Sequence, residues 1–279
     1  MEELEIQNPE NQNEQAQDSE SEVLVDPAAN KQTRASGYIG STLHIFMLVF
    51  GIVFLCSTFI FQILLTPIKV VGLSMYPTIN ASAKSDADEI HVDIVYYNKD
   101  KAYQNDDIVI VSNLEQNYIK DKNNDVQYFI KRVIACPGQT VTFFLTDKKH
   151  EKLEYGLYAD VYYYDIIVKD SNGKTINIDD SFLKTDMRFS RYDYEANKHR
   201  PEFEKIFKNI FDDTLPDNER KSTITVKENT YFVMGDNRNT SEDSRYFGAV
   251  SYEDISGEVK LHVPYGTNLW SAVFKKIFA

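Results

Sequence analysis

The sequence predicts a mainly β protein: an antiparallel β-sheet domain preceded by one transmembrane helix. Three observations carry that expectation. An uninterrupted apolar run, Leu43–Leu65, lies near the N-terminus. Beyond it, short runs of β-branched and aromatic residues alternate with turn residues as far as about residue 265. Only one segment there shows clear helical periodicity, and no alternation of strands with helices points to parallel βαβ units.

Residues 1–37 are rich in Glu, Gln, Asn and Ser and lack apolar periodicity. Such a segment cannot bury enough surface to offset its ordering entropy, so residues 1–39 are expected to form a disordered acidic tail. Nine acids face Lys31 and Arg34 within the first 40 residues, a net charge of −7 out of −13 for the chain. Most of the acidity therefore belongs to the tail. The overall negative charge argues against non-specific nucleic-acid binding, which needs a basic surface.

The apolar run spans about 23 residues, or about 35 Å as a helix, enough to cross the hydrocarbon core of a bilayer. A cleavable leader has a basic start and an h-region of about 7–15 residues, whereas this run is longer and follows an acidic segment. Residues 40–66 are accordingly read as a retained signal anchor. His44 and Gln62 lie near its ends, where polar groups cost least. Lys31 and Arg34 precede the span and Lys69 and Lys84 follow it. The closer spacing of the first pair favours an N-terminus inside and a large domain, 67–279, outside.

Within that domain the strand candidates begin at Asp93-Ile-Val-Tyr-Tyr, Asp107-Ile-Val-Ile-Val, Gln127-Tyr-Phe-Ile-Lys, Thr140-Val-Thr-Phe-Phe, Val161-Tyr-Tyr-Tyr and Thr223-Ile-Thr-Val. Asn98-Lys-Asp, Pro137-Gly138, Ser171-Asn-Gly173 and Lys227-Glu-Asn punctuate them. The helical exception is Glu202–Phe211, where Phe203, Ile206, Phe207, Ile210 and Phe211 share one face. It falls within a Tyr-rich stretch, about 150–222, expected to be an insertion. The C-terminal Asn268–Ala279 places Leu269, Val273 and Ile277 four apart beside Trp270 and Lys275-Lys276. A helix there suits either a membrane surface or packing on its own domain.

Three local sequences carry chemistry. Val71-Gly-Leu-Ser-Met-Tyr-Pro-Thr78 brackets Ser74 between Gly72 and Pro77, a way of presenting a hydroxyl at a turn; on its own it also describes an ordinary loop serine. In Tyr128-Phe-Ile-Lys-Arg-Val-Ile-Ala-Cys-Pro-Gly138, strand alternation puts Lys131 on the same face as Phe129 and Val133. Apolar flanks strip hydration from an ammonium and lower its pKa, which makes a lysine a usable base near neutral pH. A strand lysine that merely points to water is the plain alternative. Met234-Gly-Asp-Asn-Arg-Asn-Thr-Ser-Glu-Asp-Ser-Arg-Tyr-Phe-Gly248 is dense in short polar groups. It suits either a self-bonded loop or a shell that holds catalytic groups in register.

Together, in this order and at these distances, the three sequences resemble the conserved boxes of bacterial type I signal peptidases, the Ser/Lys leader peptidase family. The first box matches at Gly72, Ser74, Met75, Pro77 and Thr78, and the second at Lys131–Ile134 and Pro137-Gly138. The third matches at Gly235, Asp236, Asn237, Arg238, Ser241, Asp243, Ser244, Arg245 and Gly248. Asn105-Asp-Asp-Ile-Val resembles a looser fourth box. The likeness runs from the span to about residue 260, leaving out the tail and the 150–222 stretch.

The resemblance implies an antiparallel catalytic domain of the signal-peptidase type, with a variable insertion, and an endopeptidase that removes signal peptides from exported proteins. By it Ser74 is similar to the nucleophile and Lys131 to the general base. Ser241 looks like the serine that orients the lysine. Asp243 and Arg245 look like a supporting pair, and Asp236, Arg238 and Arg132 like scaffold. Some members carry a side-chain oxyanion donor two residues before the nucleophile. Gly72 stands there in this chain, so backbone donors around Gly72 and Ser74 are the expected oxyanion hole. Ala135-Cys136 stands where a Gly-Leu-type pair is commoner, and Cys136 is read as packing.

No cofactor or metal is implied. Expected partners are signal-peptide-bearing preproteins and the lipid bilayer, with the protein-export channel a further candidate and nucleic acid excluded. Ser74 lies nine residues beyond Leu65, close in sequence to the membrane surface where such substrates emerge, and shallow apolar subsites lined by 71–78 and 127–133 would suit their small residues. The expected location is the cell membrane: single-pass, N-terminus cytoplasmic, catalytic domain extracytoplasmic. A membrane-anchored, non-catalytic surface protein and an inactive relative are the alternatives. A self-cleaving repressor-type Ser/Lys protease fits poorly, since such proteins are soluble and carry a DNA-binding domain.

Overall fold

The structure, a computed structural model, describes residues 27–81, 92–100, 102–112, 128–154, 156–183 and 185–278. The chain divides into two units, Met1–Phe59 and Ile60–Ala279. Helix α1 (Pro27–Leu64) dominates the described part of the first. Its section Ser41–Phe59 has a mean hydropathy of 2.1, is not buried within the protein and is long and apolar enough to cross a membrane. The helix starts upstream of the expected boundary at 40, with Pro27 at its first described position, where a fixed φ suits helix initiation. The remainder of the expected tail, residues 1–26, lies outside the described residues, as does Lys84.

The second unit is built on β-sheet. Its strands are β1 (Thr66–Val70), β2 (Asp93–Asn98), β3 (Ile108–Val111), β4 (Phe129–Ala135), β5 (Thr140–Lys152), β6 (Tyr158–Lys169), β7 (Thr175–Ile176), β8 (Arg188–Ser190), β9 (Lys221–Thr225), β10 (Thr230–Met234), β11 (Val250–Ser251) and β12 (Ile255–Val263). The helices are α2 (Arg191–Asn197), α3 (Pro201–Phe207), α4 (Ser244–Phe247) and α5 (Leu269–Ile277). One sheet runs in the order β1-β2-β12-β3-β4-β10-β11 and the other β7-β6-β5-β9, with β8 also on β6. Every strand pairing is antiparallel, as the sequence predicts.

The six strand candidates correspond to β2, β3, β4, β5, β6 and β9. No candidate was assigned to β1 or β12. β12 alternates apolar and polar residues throughout and buries Ile255, Gly257, Leu261 and Val263, with a register shift against β2 between Val259 and Leu261.

Helix α3 lies where the sequence places a helix, although it stops at Phe207 and the chain continues in a turn. Phe203, Ile206, Phe207, Ile210 and Phe211 are all buried. They join Phe143, Tyr164, Phe189 and Phe232 in the largest core cluster, which also takes in Ile134 and Met234 from the first sheet. Phe189 stands edge-on to Phe207, with ring centroids 5.1 Å apart at 89°, the geometry the ring quadrupole favours. The 150–222 stretch is thus integral to the hydrophobic core that backs β4 and β10.

Candidate active site

The segment before Ser74 is held by Asn80. Its amide nitrogen donates to the carbonyls of Val70 (2.8 Å) and Gly72 (2.9 Å), and its side-chain oxygen accepts from the Asp93 N–H at 2.8 Å. Asp93 returns a bond to the Asn80 N–H and is met by His262 at 2.7 Å. Asn80 adopts φ +60, a region an asparagine tolerates better than most residues. With these carbonyls fixed and Gly72 at φ +102, the chain turns back at Leu73–Ile79 and buries Met75 and Ile79. Among the described residues, neither the Gly72 nor the Ser74 N–H is donated to another backbone group.

The Gly235–Gly248 segment closes over this turn. The Asn237 N–H donates to the Ser74 carbonyl at 3.0 Å, and the Asn237 side chain donates to the Leu73 carbonyl at 3.1 Å. The Thr78 hydroxyl donates to Asp236 at 2.5 Å. Asp236 is also the anchor of Arg132 on β4, which reaches both carboxylate oxygens at 2.8 and 2.6 Å. One buried carboxylate therefore ties the Ser74 loop, β4 and the third box together. Gly235 makes the close approach possible: a Cβ there would stand inside contact distance of both the Ser241 hydroxyl and the Ser74 carbonyl.

Behind this lie Asp243 and Arg245, both fully buried. Arg245 grips the two oxygens of Asp243 at 2.8 Å each, and donates to the Tyr164 hydroxyl at 2.7 Å and the Ser241 carbonyl at 3.2 Å. Burial alone would push the Asp243 carboxyl up. The Arg245 guanidinium outweighs it and, with the Gly235 N–H, holds that carboxyl below the usual carboxylate range. Arg238 does not pair with Asp236. Its guanidinium reaches Asp180 at 2.7 Å, and Phe182 lies against both Arg132 and Arg238. Tyr164, Asp180 and Phe182, all within 150–222, thus support the site, as do Asn80 and Asn237. Only Asn237 was visible in advance as a box position.

Lys131 is 2% exposed, and its Nζ lies 5.6 Å from the centre of the Phe129 ring. Among the described residues it has no ion pair. Burial pushes its pKa down from 10.5 to about 8, against an opposing pull from the Asp243 charge. The Ser241 hydroxyl is buried with no hydrogen-bond partner among the described residues. Ser74 and Lys131 line the same cleft, about 340 Å³, together with Ile68, Val70, Tyr128 and Ile130. Among the described residues, β1 pairs only with β2, and Phe129–Lys131 of β4 pair only with β3, because β10 joins β4 from Arg132 onward. Both walls of the cleft therefore carry strand backbone with a side that no described strand pairs. Cys136 stands apart: burial pushes its thiol up to about 11, and its Sγ contacts the Tyr103 carbonyl, as packing requires.

The structure thus gathers Ser74, Lys131, Arg132, Asp236, Ser241, Asp243 and Arg245 around one cleft and the loop behind it, as an acyl-transfer site would need. Comparison with known proteins places the chain in a family. The profile of the family described as signal peptidase, peptidase S26 matches residues 40–150 and 166–264, so it extends over most of the stretch expected to be a variable insertion. Signal peptidase IB of Staphylococcus aureus (strain COL) is 28% identical over 210 residues, 75% of this chain and 81% of the relative. Signal peptidase I of Aquifex aeolicus (strain VF5) is 31% identical over 179 residues, 57% of this chain and 68% of the relative. A solved signal peptidase I from Enterococcus faecalis V583 is 22% identical, with a TM-score of 0.27 over 57% of this chain and 98% of that one. With the profile matched over most of its length, this chain belongs to the signal peptidase family, peptidase S26.

Proposed function

We propose that the protein is a membrane-anchored serine endopeptidase that removes N-terminal signal peptides from exported proteins, with Ser74 as nucleophile and Lys131 as general base. The observation that carries this reading is a buried lysine, free of any ion pair among the described residues, opening into the same cleft as a loop serine. An unpaired ammonium in an apolar site is costly, and the cost falls when the group is neutral and able to accept a proton.

Neutral Lys131 takes the Ser74 hydroxyl proton as Oγ attacks the scissile carbonyl. The new C–O bond pushes the carbonyl electrons onto oxygen, where the free N–H groups around Gly72 and Ser74 stabilise them. On collapse the C–N bond breaks, and the Lys131 ammonium gives its proton to the departing amine. Lys131 then deprotonates a water that attacks the acyl ester, releasing the carboxylate and regenerating the Ser74 hydroxyl. Ser241 is the positioning residue for the lysine: its orphaned buried hydroxyl is available as a partner once Lys131 carries or accepts the proton. An extended substrate can add to the unpaired strand backbone along the cleft, and the apolar side chains of Ile68, Val70 and Ile130 suit small side chains.

Anchoring through Ser41–Phe59, with the N-terminus cytoplasmic and the second unit extracytoplasmic, completes the reading. The test is cleavage of a preprotein by the detergent-solubilised full chain, beside Ser74→Ala and Lys131→Ala. Cutting after an Ala-x-Ala-type site by the wild type, with both folded variants inactive, is the expected result. Cleavage that survives Ser74→Ala would overturn the nucleophile, and a folded wild type inert on several preproteins would overturn the activity.

A further inference from the structure

Helix α5 carries its largest apolar side chains on the side turned away from its own domain. Asn268 caps its start by accepting the Ser271 N–H at 2.8 Å. Ser271, Ala272, Lys275 and Lys276 line the groove between the helix and β12, and the Lys276 ammonium donates to the Lys260 carbonyl on that strand. The side turned to the protein carries the half-buried Leu269, Ala272 and Val273, with none of the large aromatic side chains. Trp270, Phe274, Ile277 and Phe278 fall at i, i+4, i+7 and i+8, on the other side, and are 45%, 57%, 67% and 81% exposed. No residue of α5 is buried. Four large apolar side chains on one turned-out face form a patch that water disfavours, and such patches mark interaction surfaces.

We infer that this face of α5 lies in the headgroup region of a lipid bilayer, as a second, peripheral membrane contact of the chain. The side-chain chemistry favours a bilayer over a protein partner. A tryptophan and phenylalanines are joined by Lys275 at the edge of the apolar arc, where its long side chain can reach anionic headgroups, while Lys276 is held on β12. Residues 261–279 contain two lysines and no acidic residue in a chain of net charge −13. An anionic surface therefore meets its complement here. The inference rests on the reading that the chain is anchored by its N-terminal helix, which keeps a bilayer within reach of the second unit.

Trp270 is the sole tryptophan of the chain, so its fluorescence reports this helix alone. The full chain is reconstituted into vesicles of phosphatidylcholine and phosphatidylglycerol with brominated acyl chains, and compared with unbrominated vesicles. A face seated about 5–10 Å into the boundary predicts a blue-shifted emission and roughly two-fold quenching by bromine. Phe274→Ser combined with Ile277→Ser is expected to abolish most of that quenching while the protein stays with the vesicles through carbonate extraction. An unquenched, red-shifted Trp270 in protein that remains membrane-bound overturns the inference. So does a blue shift without quenching that depends on protein concentration, because it assigns the face to a second copy of the chain. Protein washed off by carbonate means instead that the anchor reading has failed, which is a separate outcome.

Discussion

The Asn237 N–H donates to the carbonyl of Ser74 at 3.0 Å, across a gap that the bare backbone of Gly235 keeps open. The loop of one box is thereby hung from the backbone of another, and the position of Ser74 depends on groups more than 150 residues away. Gly235→Ala is expected to force the Ser74 carbonyl and the Ser241 hydroxyl apart. A displacement of about 1 Å at a nucleophile costs roughly 10²-fold in rate. Steady-state cleavage by the folded variant checks this, and near-normal kcat/KM would show that the loop can yield.

In the proposed mechanism Lys131 sets the pH profile. With its pKa pushed down to about 8, log kcat/KM should climb with unit slope below that pH and level off above it. Lys131→Arg, whose guanidinium stays protonated, should be inactive throughout the range. A profile that keeps rising to pH 10 would mean that the lysine is not desolvated in the working enzyme.

The same burial has a stability consequence. In the unfolded chain Lys131 titrates near 10.5 and in the fold near 8. Below pH 8 both states hold the proton, and the folded state bears the full cost of the buried ammonium, on the order of 3 kcal/mol. Between the two values the unfolded state binds the extra proton, so wild-type stability rises with pH. Above 10.5 both forms are neutral. Lys131→Met should therefore stabilise the protein by about 1–3 kcal/mol below pH 8, an advantage that fades towards pH 10.5. Urea titrations at several pH values measure it.

The Asp243–Arg245 pair is buried on both sides. Arg245→Leu leaves a carboxylate with no counter-charge and should cost about 3–5 kcal/mol. Adding Asp243→Asn to it should recover part of that loss, because the stranded charge is gone. If the double variant is as unstable as the sum of the singles, packing rather than charge holds this corner.

Asn80 supplies three side-chain hydrogen bonds and a positive φ beneath the Ser74 turn. Asn80→Ala should lower stability by roughly 2–3 kcal/mol. Asn80→Gly, which relieves the backbone conformation, should be less damaging in stability yet equally damaging to cleavage. Equal activity of Asn80→Gly and wild type would show that the Val70 and Gly72 carbonyls need no anchor.

The antiparallel class, the apolar helix, six strands and the face of α3 were legible because each depends on local periodicity. The apolar groups at Phe203, Ile206, Phe207, Ile210 and Phe211 can all be buried by one helix in one orientation. β12 alternates apolar and polar residues from Ile255 to Val263, so its absence from the six candidates has no local cause, whereas β1 is hard to read because Thr66–Val70 contains a proline and a lysine and buries only Val70 fully. The resemblance implies a scaffold role for Arg238 without naming a partner, and the fold supplies Asp180. A guanidinium on a turn can reach either side, and the side is set by what packs there.

The amino-acid sequence by itself determined the residue types at the site, their order, and the desolvating neighbours of Lys131 on its strand. Alternation and composition act over a few residues and need no partner. Tertiary structure alone decided that Asp236 serves two segments at once and that Tyr164, Asp180 and Phe182 belong to the support of the site. It also decided that the apolar face of α5 turns away from the domain. Those facts depend on which distant surfaces meet, and contacts of that range are settled only when burial of the shared core selects one arrangement of both sheets.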